Sequence, residues 1–216
     1  MGTPILLNIC ERYRLRRRLI PAAMGIGRCA LPAKRACSLR EGNVNTTFKA
    51  KELAVELSTF AGDFAWLHAY WSERADHAGM ADWTAIKLVE FPSTILPWLV
   101  VMDVVEDERA FVFRYWGTER TNLQGVDMTG RSVKELKIPG LADAMLHQNE
   151  RAVAARAPIL FLNQFQTLSG VPVQYEALRL PVTDGGEQVA KVLALSRFID
   201  EQEYIERHET KGPTPI

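Results

Sequence analysis

The stretch Leu96–Gly130, LPWLVVMDVVEDERAFVFRYWGTERTNLQGVDMTG, decides the reading of the chain. Trp98 to Val105 is an apolar run with a single charge, Asp103. Ala110 to Trp116 is a second run, rich in the aromatic and β-branched residues that suit a pleated surface. Glu106-Asp107-Glu108-Arg109 separates them. Two β-prone runs joined by four polar residues predict an antiparallel hairpin. Gly117-Thr118 breaks the second strand, and Asp127-Met128-Thr129-Gly130 reads as a turn. Alternation along the second strand puts Phe111, Phe113 and Tyr115 on one side and Val112, Arg114 and Trp116 on the other. The wholly aromatic side is expected to face the core. The Arg114 side is expected to meet a helix, with Trp116 beneath it.

The flanking sequence extends the pattern. Phe60 to Asp200 carries, in order, Tyr70-Trp71, Phe91-Pro92, Leu96-Pro97, Phe113-Arg114-Tyr115-Trp116-Gly117-Thr118 and Gly125-Val126-Asp127-Met128-Thr129-Gly130-Arg131. No one of these motifs is specific, but their order and spacing resemble the PAS domain, in particular the single-domain PAS family common in alphaproteobacteria. The resemblance implies a five-stranded antiparallel sheet with helices on one face and a small pocket between them. It also implies a leading helix on the outer sheet face or against a partner subunit.

The remaining elements agree with that α+β order. Asp82 can cap a short helix over residues 83–88, and Thr129 another over 131–136. Pro139-Gly140 opens a longer helix to about Ala155, with Leu141, Met145, Gln148 and Ala152 on one side. Three strands follow, over residues 159–168, 171–182 and 189–199, with turns at Ser169-Gly170 and Asp184-Gly185-Gly186. The chain divides into residues 1–45, a basic arm; 46–80, a leading amphipathic helix; 81–200, the PAS-like unit; and 201–216, a polar helix and tail.

Charge separates the arm from the body. Residues 1–40 hold nine Arg or Lys against Glu11, leaving 17 basic and 25 acidic residues in the rest, a net of −8. The arm reads as a disordered segment, a transit-like peptide or the product of an over-long gene call. The acidic body argues against nucleic-acid binding, which depends on neutralising phosphates. Cys10, Cys29 and Cys37 all lie in the arm, at a spacing that fits no zinc site. Without cysteines in the body, no disulfide holds it, and a cytoplasmic location is expected. No uncharged apolar run approaches the ~18 residues of a membrane span.

Chemistry is sparse. Ser169-Gly170 lacks the surrounding Gly-x-Ser-x-Gly, and phosphate-binding glycine loops are absent. His68, His77, His147 and His208 never pair at metal-ligand spacing. Some PAS domains bind haem through a histidine on the long helix. His147 lies on that helix here, but its spacing points it away from the apolar stripe, so an exposed side chain is expected and no cofactor is identified. The cysteine of the flavin-binding class has no counterpart after Cys37, which excludes a flavin-cysteinyl adduct.

Candidate ligand-binding residues are Phe113, Arg114, Tyr115, Asn163 and Gln164, with Gln166 beside them. Arg114 fits a ligand anchor or, more simply, a structural ion pair. The resulting expectation is a sensory or regulatory protein without its own output domain. It would act through a protein partner and be tuned by a small ligand. The alternative is a cone-shaped isomerase or dehydratase using Asp103 with Tyr115.

Leu53, Leu57, Phe60, Phe64, Leu67 and Trp71 recur at steps of four, three, four, three and four. This predicts one stripe on one helix. A helix of ~25 residues spans ~37 Å, more than the ~20 Å of an ordinary strand pair, so its start should overhang. Leu53, Leu57 and Phe60 are then expected in a homodimer contact, with Trp71 on its own sheet.

Overall fold

The computed structural model describes residues 49–53, 60–107, 110–138, 140–166 and 172–199. The basic arm, Leu57, the Ser169-Gly170 turn and the tail over 201–216 lie outside the described residues.

The hairpin forms where the sequence predicts it. β3 (Leu99–Val104) and β4 (Phe111–Trp116) pair antiparallel. Helix α2 (Thr118–Gln124) follows directly, ending at Gly125 in the left-handed conformation that glycine tolerates. A one-turn helix over Val133–Glu135 is closed by a capping box in which Ser132 and Glu135 exchange bonds. Ser132, and not Thr129, is therefore the cap. Helix α3 (Leu141–Ala155) buries Leu141, Met145, Gln148, Asn149 and Ala152. Strands β5 (Ile159–Gln166), β6 (Pro172–Thr183) and β7 (Lys191–Ile199) complete the core of the sheet.

These five strands lie in the order β5-β6-β7-β3-β4, every pair antiparallel. Strand, strand, helices and three strands in one sheet make this an α+β fold of PAS-like plan. Two short strands enlarge it. β1 (Lys49–Leu53) adds to the edge beside β5, and β2 (Ala81–Asp82) pairs parallel with the end of β6. Asp82 then caps the following turn by accepting from Thr84 N at 2.8 Å.

β1 corrects the long leading helix. Helix α1 runs only from Gly62 to Ser72, because Gly62 enters it at φ +57°, a conformation no continuous right-handed helix can contain. Residues 49–53 instead pair with β5, Leu53 opposite Leu160. Arg151 on α3 clamps this strand through two bonds of 3.1 Å to Glu52. Leu53 is thus a strand residue on this chain's own sheet, and the overhanging helix that favoured a homodimer falls away.

Packing holds α1. Eleven residues are too few for a stable isolated helix, so burial must supply the stability. Phe64, Leu67, Tyr70 and Trp71 are buried against Val101, Leu178, Leu180, Leu193 and Leu195 on the outer face of the sheet. Each such side chain contributes roughly 1.5–3 kcal/mol. Trp71 Nε1 donates to Pro181 O at 2.7 Å, and Phe60 packs on the same cluster. Trp71 and Phe60 therefore serve the chain's own core.

The opposite, inner face carries Val100, Met102, Phe111, Phe113, Trp116, Val192 and Ala194 beneath α3 and the connection before it. Trp116 belongs here and not under α1. The register slips between Val101 and Met102, so that Val101 faces Tyr115 while Met102 faces Phe113. Arg114 is the extra residue of a β-bulge, and one extra residue reverses the side on which every later side chain falls. Phe111 and Phe113 meet the inner core as expected. Tyr115 turns to the outer face and donates to Leu96 O at 3.0 Å.

Candidate functional site on the inner face of the sheet

Small residues floor the inner face. On β6 and β7, Ala177 lies opposite Ser196, and Arg179 opposite Ala194. Their short side chains leave room for long polar ones from the strands and from α2 and α3. Arg179 fills part of it. Leu178 and Leu180 flank it on the outer face, and strand alternation carries its guanidinium inward.

Two amides on adjacent positions of α3 receive that guanidinium. Arg179 donates from Nε and Nη2 to Gln148 Oε1 at 3.1 and 2.8 Å, and from Nη1 to Asn149 Oδ1 at 2.7 Å. Gln148 Nε2 passes a bond on to Asn163 Oδ1 at 2.6 Å, and Asn149 Nδ2 leans on Met102 Sδ at 3.1 Å. All four polar residues are buried. Among the described residues no carboxylate pairs with Arg179. Neutral amides satisfy its geometry but not its charge, and burial lowers its pKa to about 10.

Arg120 is the second buried guanidinium. It projects from α2 onto the same face, 2 % exposed. Its Nη1 reaches Ser196 Oγ at 3.4 Å, a long contact, and its charge lies 5.1 Å from the Trp116 ring. Nε bonds to nothing. Burial lowers the Arg120 pKa, and again no carboxylate pairs with it among the described residues. Tyr175 feels the charge of both arginines. Burial raises its pKa above the ordinary value, so the phenol stays protonated and supplies no counter-charge.

The sequence candidates separate across the sheet. Phe113 and Asn163 stand in this layer. Arg114 and Tyr115 do not. Arg114 Nε donates to Asp103 Oδ1 at 2.7 Å on the exposed side, the structural ion pair its simpler reading describes. Gln164 is exposed, one residue out of phase with Asn163. Asp103 also lies 3.5 Å from Lys191 Nζ, while the Tyr115 hydroxyl is held by Leu96. The acid–base pair of the isomerase alternative is therefore not assembled. His147 is exposed on the outer side of α3, the direction its spacing predicts. Among the described residues no cluster of His, Cys, Asp or Glu could hold a metal ion.

Arg120, Arg179, Tyr175 and Asn149 escaped the sequence reading. The available signal was a polar residue on an apolar periodicity. Gln148 interrupts the apolar side of α3, and Arg179 interrupts the run from Ala177 to Val182.

No protein-family model and no curated protein matches the chain. Among solved structures it is similar to a light-oxygen-voltage domain carrying a flavin analogue, at 14% identity and a TM-score of 0.39 over 53% of this chain and 87% of that one. It is also similar to the PAS domain of a protein from Colwellia psychrerythraea, at 19% identity and a TM-score of 0.35 over 47% and 84%. A third similarity is to VqmA of Vibrio cholerae in complex with ligand and DNA, at 14% identity and a TM-score of 0.40 over 56% of each chain. Likenesses this distant leave the function to be argued from the chain's own residues. The DNA in that complex is VqmA's, and the expectation of none here rests on the acidic charge balance alone. Among the described residues no helix is long and apolar enough to cross a membrane.

Proposed function

We propose that this chain is a cytoplasmic PAS-type sensory or regulatory protein that acts through a protein partner and is tuned by a small molecule on the inner face. One observation carries the reading: two buried guanidiniums share this face with no acid beside either among the described residues. A buried charge without a counter-charge is costly, and a fold selected for stability alone would replace it with an apolar side chain. Retained charges in an enclosed layer fit recognition of a ligand.

The connections supply a route to the surface. Among the described residues Arg120 bridges α2 to β7 through the long Ser196 contact. A ligand that draws the guanidinium away from Ser196 would shift α2 against the sheet and change the face α2 offers a partner. Native mass spectrometry of the purified chain tests the reading. The expected result is a retained non-covalent adduct that Arg179→Leu abolishes. A bare chain that also stays unaltered in melting temperature across a metabolite panel would contradict it.

A further inference from the structure

Trp116, Arg120 and Gln124 stand at steps of four across the end of β4 and along α2. Each has a side-chain donor that is sealed from solvent and makes no hydrogen bond: Trp116 Nε1, Arg120 Nε and Gln124 Nε2. Arg120 and Gln124 lie one turn apart on one side of α2. Asn163 Nδ2, on the strand position opposite Tyr175, is a fourth such donor. The acceptor in the same condition, Gln174 Oε1, belongs to the opposite alternation of β6, with Glu176 and Leu178.

Native interiors leave few polar groups unpaired, and each costs about 1–3 kcal/mol. The three donors gathered around α2 call for an acceptor-rich guest. Neutral water could answer the indole and the amides but not the charge of Arg120. Arg179 contributes less directly, since three of its five N–H bonds already go to Gln148 and Asn149. Arg120, whose Nε has no acceptor, is the guanidinium placed to meet a negative charge directly. A phosphate dianion would bring a second charge into a layer walled by Phe113, Trp116 and Phe198. A planar carboxylate presents two oxygens to a guanidinium edge and neighbouring N–H groups.

Resting on the reading of this face as a ligand site, we propose that the ligand is a small-molecule carboxylate. Arg120 takes its charge, with Trp116 Nε1 and Gln124 Nε2 donating to its oxygens. Its apolar part lies over Ala177, beside Ser196.

Matched pairs that differ only in charge test this. The full chain, freed of bound molecules by unfolding and refolding, is titrated calorimetrically with benzoate and benzamide, and with propionate and propionamide. Each carboxylate should bind at least tenfold tighter than its amide. Arg120→Leu should remove that preference while melting higher than the parent without ligand, because an unpaired buried charge has gone. Should Arg120→Leu fail to fold, Arg120→Gln carries the same comparison, and Arg120→Lys should retain part of the preference. Amides binding as well as carboxylates would overturn the anion while leaving the ligand site standing. A carboxylate preference that survives in a folded Arg120→Gln would overturn the role of Arg120. If no carboxylate binds, the inference fails. If native mass spectrometry then also shows no adduct, the ligand-site reading fails with it.

Discussion

Arg179→Ala should destabilise the chain by about 3–5 kcal/mol, read as a lower denaturant midpoint with an unchanged slope. The guanidinium is the shared donor for Gln148 Oε1 and Asn149 Oδ1. Its removal strands both buried acceptors, at about 1–3 kcal/mol each, and empties the space above Ala194. Relief of a buried charge offsets part of this, which keeps the figure from being larger. Arg179→Lys should also be destabilised, because one ammonium cannot reproduce a planar fork that spans two amides. Arg179→Leu fills the space better and is the milder variant for ligand experiments. A loss below about 1 kcal/mol in Arg179→Ala would mean that the amides find other donors.

Gly117→Ala should cost about 3 kcal/mol or more. The backbone conformation at Gly117 is ordinary, at φ −62° and ψ 151°, so strain in φ is not the reason. Space is. A Cβ there would lie 2.3 Å from Pro97 O and 2.6 Å from Leu96 O. Both are backbone atoms on the turn that opens β3, and Gly117 N donates to Leu99 O at 3.0 Å beside them. The hairpin closes by pressing the end of β4 onto the start of β3, and only a missing side chain permits it. Gly186→Ala is the control. A Cβ there meets nothing within 4 Å, so its effect should stay within about 0.5 kcal/mol. Equal melting of the two variants would show that the Pro97–Gly117 approach does not constrain the hairpin.

That contact explains why part of the fold was legible. Leu96-Pro97 and Gly117-Thr118 stand as separate motifs in the sequence, yet they are the two sides of one close approach. The β-prone runs, the apolar side of α3 and the last three strands follow from local periodicity, and each forms close to its predicted bounds. Two errors came from features that periodicity does not encode. The bulge at Arg114 reverses the facing of Tyr115 and Trp116, and nothing in FVFRYW announces an extra residue. The leucine and aromatic stripe continues smoothly upstream of Gly62, but the positive φ there starts a new helix and residues 49–53 form an edge strand.

The site was less legible, for a related reason. Asn163 and Phe113 could be named from strand parity, but parity alone did not say which face was inner. Arg120 and Arg179 are 59 residues apart and meet the same layer only through the order of the sheet. A buried arginine flanked by leucines looks in sequence like one that pairs with an acid. Only the fold shows amides where an acid would be expected.

The most direct test of the account follows the five indole N–H signals by ¹H–¹⁵N NMR as benzoate is added to the ligand-free chain. Trp116 donates to nothing on the inner face, whereas Trp71 already donates to Pro181 O on the outer face. A saturable downfield shift of the Trp116 indole proton is expected, together with the Arg120 Nε–H signal, while Trp71 stays in place. Unmoved Trp116 and Arg120 signals, or shifts confined to the outer-face tryptophans, would contradict it.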